Sequence, residues 1–318
     1  GQGSKGWGLK DTANLVGESK TVVFEAVQMA KALEIFPELA ASKSRHEANK
    51  KLKKITEKLA IAELMSRKKG SATGQSVLAD ENFIIGDAFE GLASLAAESV
   101  DFINTDTPYG IDLTSQKKIQ SETRTDEDYQ EWPKDIYLYN IGVVAEQCFR
   151  ILKSNRWMLF WFGQEWYLQV RMTLEAAGFK VDKIPAVWYG GAGQAQTMAP
   201  EVNLGRSYEQ FFVCRKGDPI LLKRGRANVF VFNKMAPQNK IHPTEKPLEL
   251  MKELLDTFLL PGQIILSSFI GSGNDLRAGY MHDCHAFGFD FNNDVKNKFL
   301  LRVEQDIQES LYGSPNNK

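Results

Sequence analysis

The sequence predicts an α/β protein, a body of alternating strands and helices behind a small α-helical N-terminal segment. Three observations predict it. From Asn82 onward, short apolar runs alternate with amphipathic stretches of helical period, the pattern of βαβ units on a largely parallel sheet. Two of those runs lead straight into unusual turns: Val100–Thr105 into Asp106-Thr107-Pro108-Tyr109-Gly110, and Ile264–Ser267 into a glycine loop at Phe269-Ile270-Gly271-Ser272-Gly273. Residues 1–70, by contrast, read as helices and carry 14 Lys/Arg against 8 Asp/Glu, a charge of +6 against −7 for the remainder.

The bulk composition is that of a globular chain. Its 318 residues are 43% hydrophobic and 25% charged, enough for one large domain or two smaller ones. No apolar run approaches membrane-spanning length and the N-terminus lacks a signal-peptide pattern, so a cytoplasmic protein without membrane contact is expected. Cys148, Cys214 and Cys284 lie far apart without metal-ligand spacing and are expected to be reduced, ordinary residues.

In the N-terminal segment, Leu9 to Val16 has apolar residues at helical spacing, Gly17-Glu18-Ser19 is a turn, and Ser19 is a suitable N-cap for Lys20–Leu33. Val23, Val27 and Ala30 are expected inward, with Lys20, Thr21, Phe24 and Gln28 outward. Helix, glycine turn, helix is the helix-turn-helix pattern, and Trp7 to Leu33 resembles that region of ParB-type partition proteins. A helical hairpin that only packs on the body has the same pattern. Pro37 breaks the periodicity, and a lysine-rich helix follows from about Ser44 to Met65; it could connect domains, form a homodimer arm or touch a DNA backbone. The expected domains are therefore 1–66 helical, 67–81 a flexible Gly/Ser-containing linker, and 82–318 the body.

In the body, Phe83-Ile84-Ile85 is a strand ending in Gly86-Asp87, with a short helix over Ala88–Ala97. After the Asp106 turn comes a long polar loop, residues 111–133, of the kind that is more often functional than accidental. Tyr137–Leu152 is helix, Arg156–Phe162 strand, and Glu165–Ala177 helix stopped by Gly178. Val187–Tyr189 and Gln210–Cys214 are further strands, separated by a Gly/Gln/Ala loop at 190–197, and Val229–Phe232 follows a basic stretch at Lys223-Arg224-Gly225-Arg226. His242-Pro243-Thr244-Glu245-Lys246-Pro247 opens a helix over Leu248–Leu259. Beyond the glycine loop, Asn274–His282 is helix, Ala286–Asp290 is a strand ending in an acid, and Lys296–Leu311 is helix.

Two pieces carry chemistry. An acid at a strand's end, then a proline turn and an aromatic ring, suits a planar amino-bearing ring: Asp106 can accept from the amino group and Tyr109 can stack. Strand, glycine loop, helix and a strand ending in Asp290 can hold a nucleoside, with close backbone approach and an acceptor for ribose hydroxyls. The order Gly-Asp, Asp-Thr-Pro-Tyr, His-Pro-Thr-Glu-Lys-Pro and Phe-Ile-Gly-Ser-Gly resembles the β-class of amino-methylating DNA methyltransferases, from about Asn82 to Arg302.

The resemblance implies a seven-stranded, mostly parallel methyltransferase sheet with helices on both faces, S-adenosylmethionine as cofactor and double-stranded DNA as partner. It implies that Asp106, the Thr107 carbonyl, Pro108 and Tyr109 hold a flipped base, adenine at N6 before cytosine at N4. Asp87, Thr244, Lys246, Phe269, Gly271, Ser272, Gly273 and Asp290 would bound the cofactor; no metal is required. The family usually has Pro at Thr107, Asp-Pro at Ser267-Ser268 and Thr-Thr at Asn274-Asp275. The missing acid implies weaker cofactor binding, which Ser267→Asp should tighten. A DNA-binding regulator with a degenerate methyltransferase body is the other reading. A dinucleotide oxidoreductase is disfavoured, because Gly271-Ser272-Gly273 lacks the third fingerprint glycine.

Overall fold

The computed structural model describes residues 9–68, 74–110, 131–191 and 201–312. The chain divides into two compact units, Gly1–Ser71 and Ala72–Lys318. Residues 111–130 and 192–200, which hold most of the two expected loops, and Gly6-Trp7-Gly8 lie outside the described residues.

In the first unit, α1 (Leu9–Val16) and α2 (Lys20–Ile35) are joined through Gly17 at φ 72°, and Ser19 caps α2 by accepting from the Val22 N–H at 3.2 Å. A 3₁₀ turn at Pro37–Ala41 leads to α3 (Arg45–Lys68). Of the three residues expected inward on α2, only Val23 is buried; Val27 and Ala30 are exposed, and Ala32 is buried instead. Within the unit α2 packs against α1 and the 3₁₀ turn, so its inward stripe is set by those two neighbours rather than by one continuous partner. Lys20, Thr21, Phe24 and Gln28 are exposed.

In the second unit, α4 (Gly74–Asn82) is helical where a flexible linker was expected. Ser76 and Ala79 are buried at a three-residue spacing, and Asp80 pairs with Lys296 of α10 (Asn293–Tyr312) at 3.1 Å. The sheet has nine strands rather than seven: β1 (Phe83–Ile85), β2 (Val100–Asp106), β3 (Leu152–Trp161), β4 (Lys180–Val181), β5 (Ala186–Tyr189), β6 (Tyr208–Lys216), β7 (Val229–Val231), β8 (Ile264–Ser267) and β9 (His285–Asp290). The two-residue β4 is too short to show alternation in sequence. The order is β1-β9-β8-β2-β3-β6-β5-β7, with β4 on β6, and β6 alone runs against the rest.

The remaining helices of this unit are α5 (Ala88–Ser94), α6 (Lys134–Ile151), α7 (Tyr167–Ala176), α8 (Leu248–Phe258) and α9 (Asn274–Met281). Val100, Phe102 and Ile103 of β2 are buried, as are Met158, Leu159 and Phe160 of β3, which explains their near-continuous apolar sequence. Ile141, Val144, Ala145 and Cys148 of α6 share one core cluster with Val100, Ile103, Met158 and Phe160, while Phe102 stacks on Phe258 of α8 on the other face. β2 and β8 are neighbours with Asn104 opposite Ser267, yet the chain leaves β8 toward β9 on one side and β2 toward β3 on the other. Diverging connections at adjacent strand ends open a crevice at the topological switch point. Among the described residues no helix is long and apolar enough to cross a membrane.

Candidate active site

The β2 wall of the crevice is a tightly bonded turn. Thr107 is buried before Pro108, and the turn ends at Gly110 with φ 63°. A Cβ there would lie 2.7 Å from the Tyr137 ring, so glycine is required twice over, by conformation and by space. Asp106 Oδ1 accepts from the Tyr109 hydroxyl at 2.9 Å, and its Oδ2 accepts from Lys246 Nζ. Lys246 also lies 3.5 Å from Glu209 Oε2 and 4.3 Å above the Trp161 ring. Burial works against its ammonium, but Asp106 and Glu209 outweigh that and hold it above the ordinary lysine range. Lys246, expected beside the cofactor, is thus bonded to Asp106.

The opposite wall is the glycine loop. Asp290 shapes it, accepting from the Gly271 N–H and the Asn292 N–H at 2.8 Å each, and burial raises its pKa. Asp87 caps α5 by accepting from the N–H groups of Phe89 and Glu90 at 2.7 and 3.1 Å. Thr244 Oγ1 and His242 Nδ1 are 3.1 Å apart, and burial lowers the His242 pKa to about 4. Of the twelve residues singled out from the sequence, eleven line this one crevice. Gly273 does not: it caps α9 at φ 76°, and a Cβ there would strike the Phe299 ring at 2.2 Å.

The family model for N6/N4 DNA methylases matches residues 100–299. The chain belongs to that family. The DNA adenine methyltransferase YhdJ of Escherichia coli (strain K12) is 26% identical over 259 residues, 70% of this chain and 83% of that relative. Among solved structures, the M1.HpyAVI–SAM complex aligns with a TM-score of 0.53 at 17% identity, covering 70% of this chain and 98% of the other. The cytosine-N4-specific PvuII DNA methyltransferase aligns at 0.52 and 14%, covering 73% and 93%. At these identities the likeness to the solved structures is one of fold.

As an N6/N4 DNA methylase, the chain uses S-adenosylmethionine, and the crevice suits it. Asp87, Asp106, Glu245, Asp275 and Asp290 line it against a single lysine, an acidic balance fit for a cationic cofactor. Phe89, Phe269, Ile270, Phe289 and Phe291 line it with apolar surface of the kind that a purine ring packs on. The cysteines are buried, and burial pushes the Cys148 thiol up to about 11, which makes it an inert core group.

Several partnerships in the site carried no sequence signal. Asn274 donates to Glu245 Oε1 at 3.0 Å and to the Lys246 carbonyl at 2.8 Å, while Arg302 bonds Glu245; together they fix the segment that delivers Lys246. Trp132 packs on Phe89 and Phe269, with centroids 5.6 and 5.5 Å away. Asn104 accepts from Trp161 Nε1 at 2.9 Å and donates to Asp275 Oδ1 at 3.0 Å. These partners stand dozens of residues or more apart in sequence, where no local pattern can reveal them.

Proposed function

We propose that this N6/N4 DNA methylase methylates adenine N6 in double-stranded DNA, working on a base flipped into the crevice. The observation that carries the reading is the placement of Asp106 at the end of β2, with Tyr109 bonded to it, in one crevice with the glycine loop. Asp106 accepts from the exocyclic amino group and turns the nitrogen lone pair toward the methyl donor. A carboxylate has about four acceptor sites, so bonds to Lys246 and Tyr109 orient it and leave sites for the amine. The Thr107 carbonyl takes the second amino hydrogen, and Tyr109 stacks on the ring. S-adenosylmethionine, held by Phe269, Gly271, Ser272 and Asp290, supplies the electrophilic methyl when bound. The rate then comes from positioning and fixed charge. After transfer the nitrogen carries an extra proton, which Asp106 is placed to accept.

Residues 1–70 add salt-dependent DNA affinity as a helix-turn-helix. Supporting this are the capped α1–α2 pair, the exposed Lys20, Thr21, Phe24 and Gln28, and the +6 charge. The test of the main reading is nucleoside analysis of duplex DNA treated with the protein and isotope-labelled cofactor. Labelled N6-methyladenine is expected; labelled N4-methylcytosine would replace the base assignment, and no label in either base would overturn the reading.

A further inference from the structure

Asp275 is a carboxylate with an unusual setting. It stands in the first turn of α9, half-buried on the crevice wall, and its oxygens accept from Ser267 Oγ at 2.8 Å and Asn104 Nδ2 at 3.0 Å. Both donors are neutral. Among the described residues Asp275 forms no ion pair, although Lys246, Asp106 and Glu209 pair with one another close by. Burial raises its pKa to about 6, so the anion is held at a cost that a cation arriving in the crevice would relieve.

The position of this acid answers the departure seen in the sequence. The resemblance implies Asp-Pro before the glycine loop and Thr-Thr at the following helix start; here Ser267 stands at the end of β8 and Asn274-Asp275 opens α9. Ser267 Oγ donates directly to Asp275 Oδ2, so the hydroxyl at the strand end and the acid at the helix start share one hydrogen bond. The charge expected to be missing is present, supplied from the helix instead of the strand.

We propose that Asp275 recognises the cationic methionine end of S-adenosylmethionine, supplying from position 275 the charge that the resemblance implies at position 267. The proposal rests on the reading of the crevice as the S-adenosylmethionine site. It reverses the expectation drawn from the sequence: Ser267→Asp alone sets two carboxylates against each other within hydrogen-bond distance and weakens cofactor binding. Asp275→Thr alone removes the charge and also weakens it. The double variant Ser267→Asp/Asp275→Thr rebuilds the bond in the opposite sense and restores binding.

Calorimetric titration of each variant with S-adenosylmethionine and with 5′-methylthioadenosine, which has neither the sulfonium nor the ammonium, reads the charge apart from the fold. Asp275→Asn and each single variant are expected to lose about tenfold in affinity for S-adenosylmethionine and little for methylthioadenosine. The double variant is expected to return to within about threefold of the wild type, the coupling such a pair should show. Equal losses for the two ligands would mean that Asp275 only supports the fold, and would overturn the proposal. So would single variants that bind S-adenosylmethionine like the wild type, or a double variant as weak as their sum. A wild-type protein that binds neither ligand would instead overturn the cofactor reading beneath it.

Discussion

The two walls of the crevice are built on different plans. On the β2 wall the working groups bond to one another: Tyr109 to Asp106, Lys246 to Asp106, Lys246 to Glu209. Around β1, β8 and β9 three acids bond to backbone or neutral donors, Asp290 to Gly271 and Asn292, Asp87 to Phe89 and Glu90, Asp275 to Ser267 and Asn104. A mutually paired cluster is set before ligand arrives and is sensitive to the loss of any member. Acids held by neutral donors keep a net negative field, which a cation can answer. On the function proposed above, this contrast is a division of labour, in which one wall would position the amine and the other would hold the cofactor.

Substitutions on the first wall should therefore strike transfer, and those on the second should strike binding. The largest effect is expected for Asp106→Ala, a loss of about a thousandfold or more in methyl transfer in a labelled-methyl assay. Retention of transfer within tenfold would remove Asp106 from the reaction. Lys246→Met should follow, with a drop of about a hundredfold in turnover, because Asp106 and Glu209 would then face each other without the cation between them. If Lys246→Met changed only cofactor affinity, Lys246 would belong to the other wall. Asp290→Ala should weaken S-adenosylmethionine binding by roughly tenfold to a hundredfold, the scale of hydrogen bonds to a charged group. An unchanged dissociation constant would exclude it from the ribose.

Tyr109 sharpens the comparison, since it has both a ring and a bonded hydroxyl. Tyr109→Ala should lose about 1–3 kcal/mol of transition-state stabilisation on duplex DNA, the scale of one stacked base. Tyr109→Phe should lose only the smaller part due to its bond with Asp106. Equal losses in the two would mean that the ring stacks on nothing. Smallest for chemistry is removal of residues 1–70, expected to leave transfer at low salt nearly unchanged while flattening the salt dependence of DNA affinity. The same affinity and slope in the truncated protein would assign that segment to structure alone.

How legible all this was in the sequence follows from the same contrast. The β2 turn is contiguous, so an acid, a proline, an aromatic and a glycine announced it together, and Gly110 had to be glycine beside Tyr137. The loop from Phe269 and the acid at Asp290 were readable for the same reason, as parts of one βαβ unit. Lys246 was visible as a residue but not as a partner of Asp106, because 140 residues separate the two. Glu209 and Trp161 sit on strands whose sequence is explained by burial alone. Ser267 looked like a loss because position-by-position reading cannot see that Asp275 faces it across the turn. Two strands went beyond the expected seven because Lys180–Val181 is shorter than one period of alternation and Val229–Val231 is only three residues long, and the linker was overestimated because Ser76 and Ala79 give only a faint helical signal.

The division between the walls is tested most directly by titrating Asp106→Ala with S-adenosylmethionine in a calorimeter. The account predicts a dissociation constant within about threefold of the wild type, in a variant that no longer transfers methyl groups. A loss of cofactor affinity that matches the loss of transfer would contradict it, and would make the two walls one binding site.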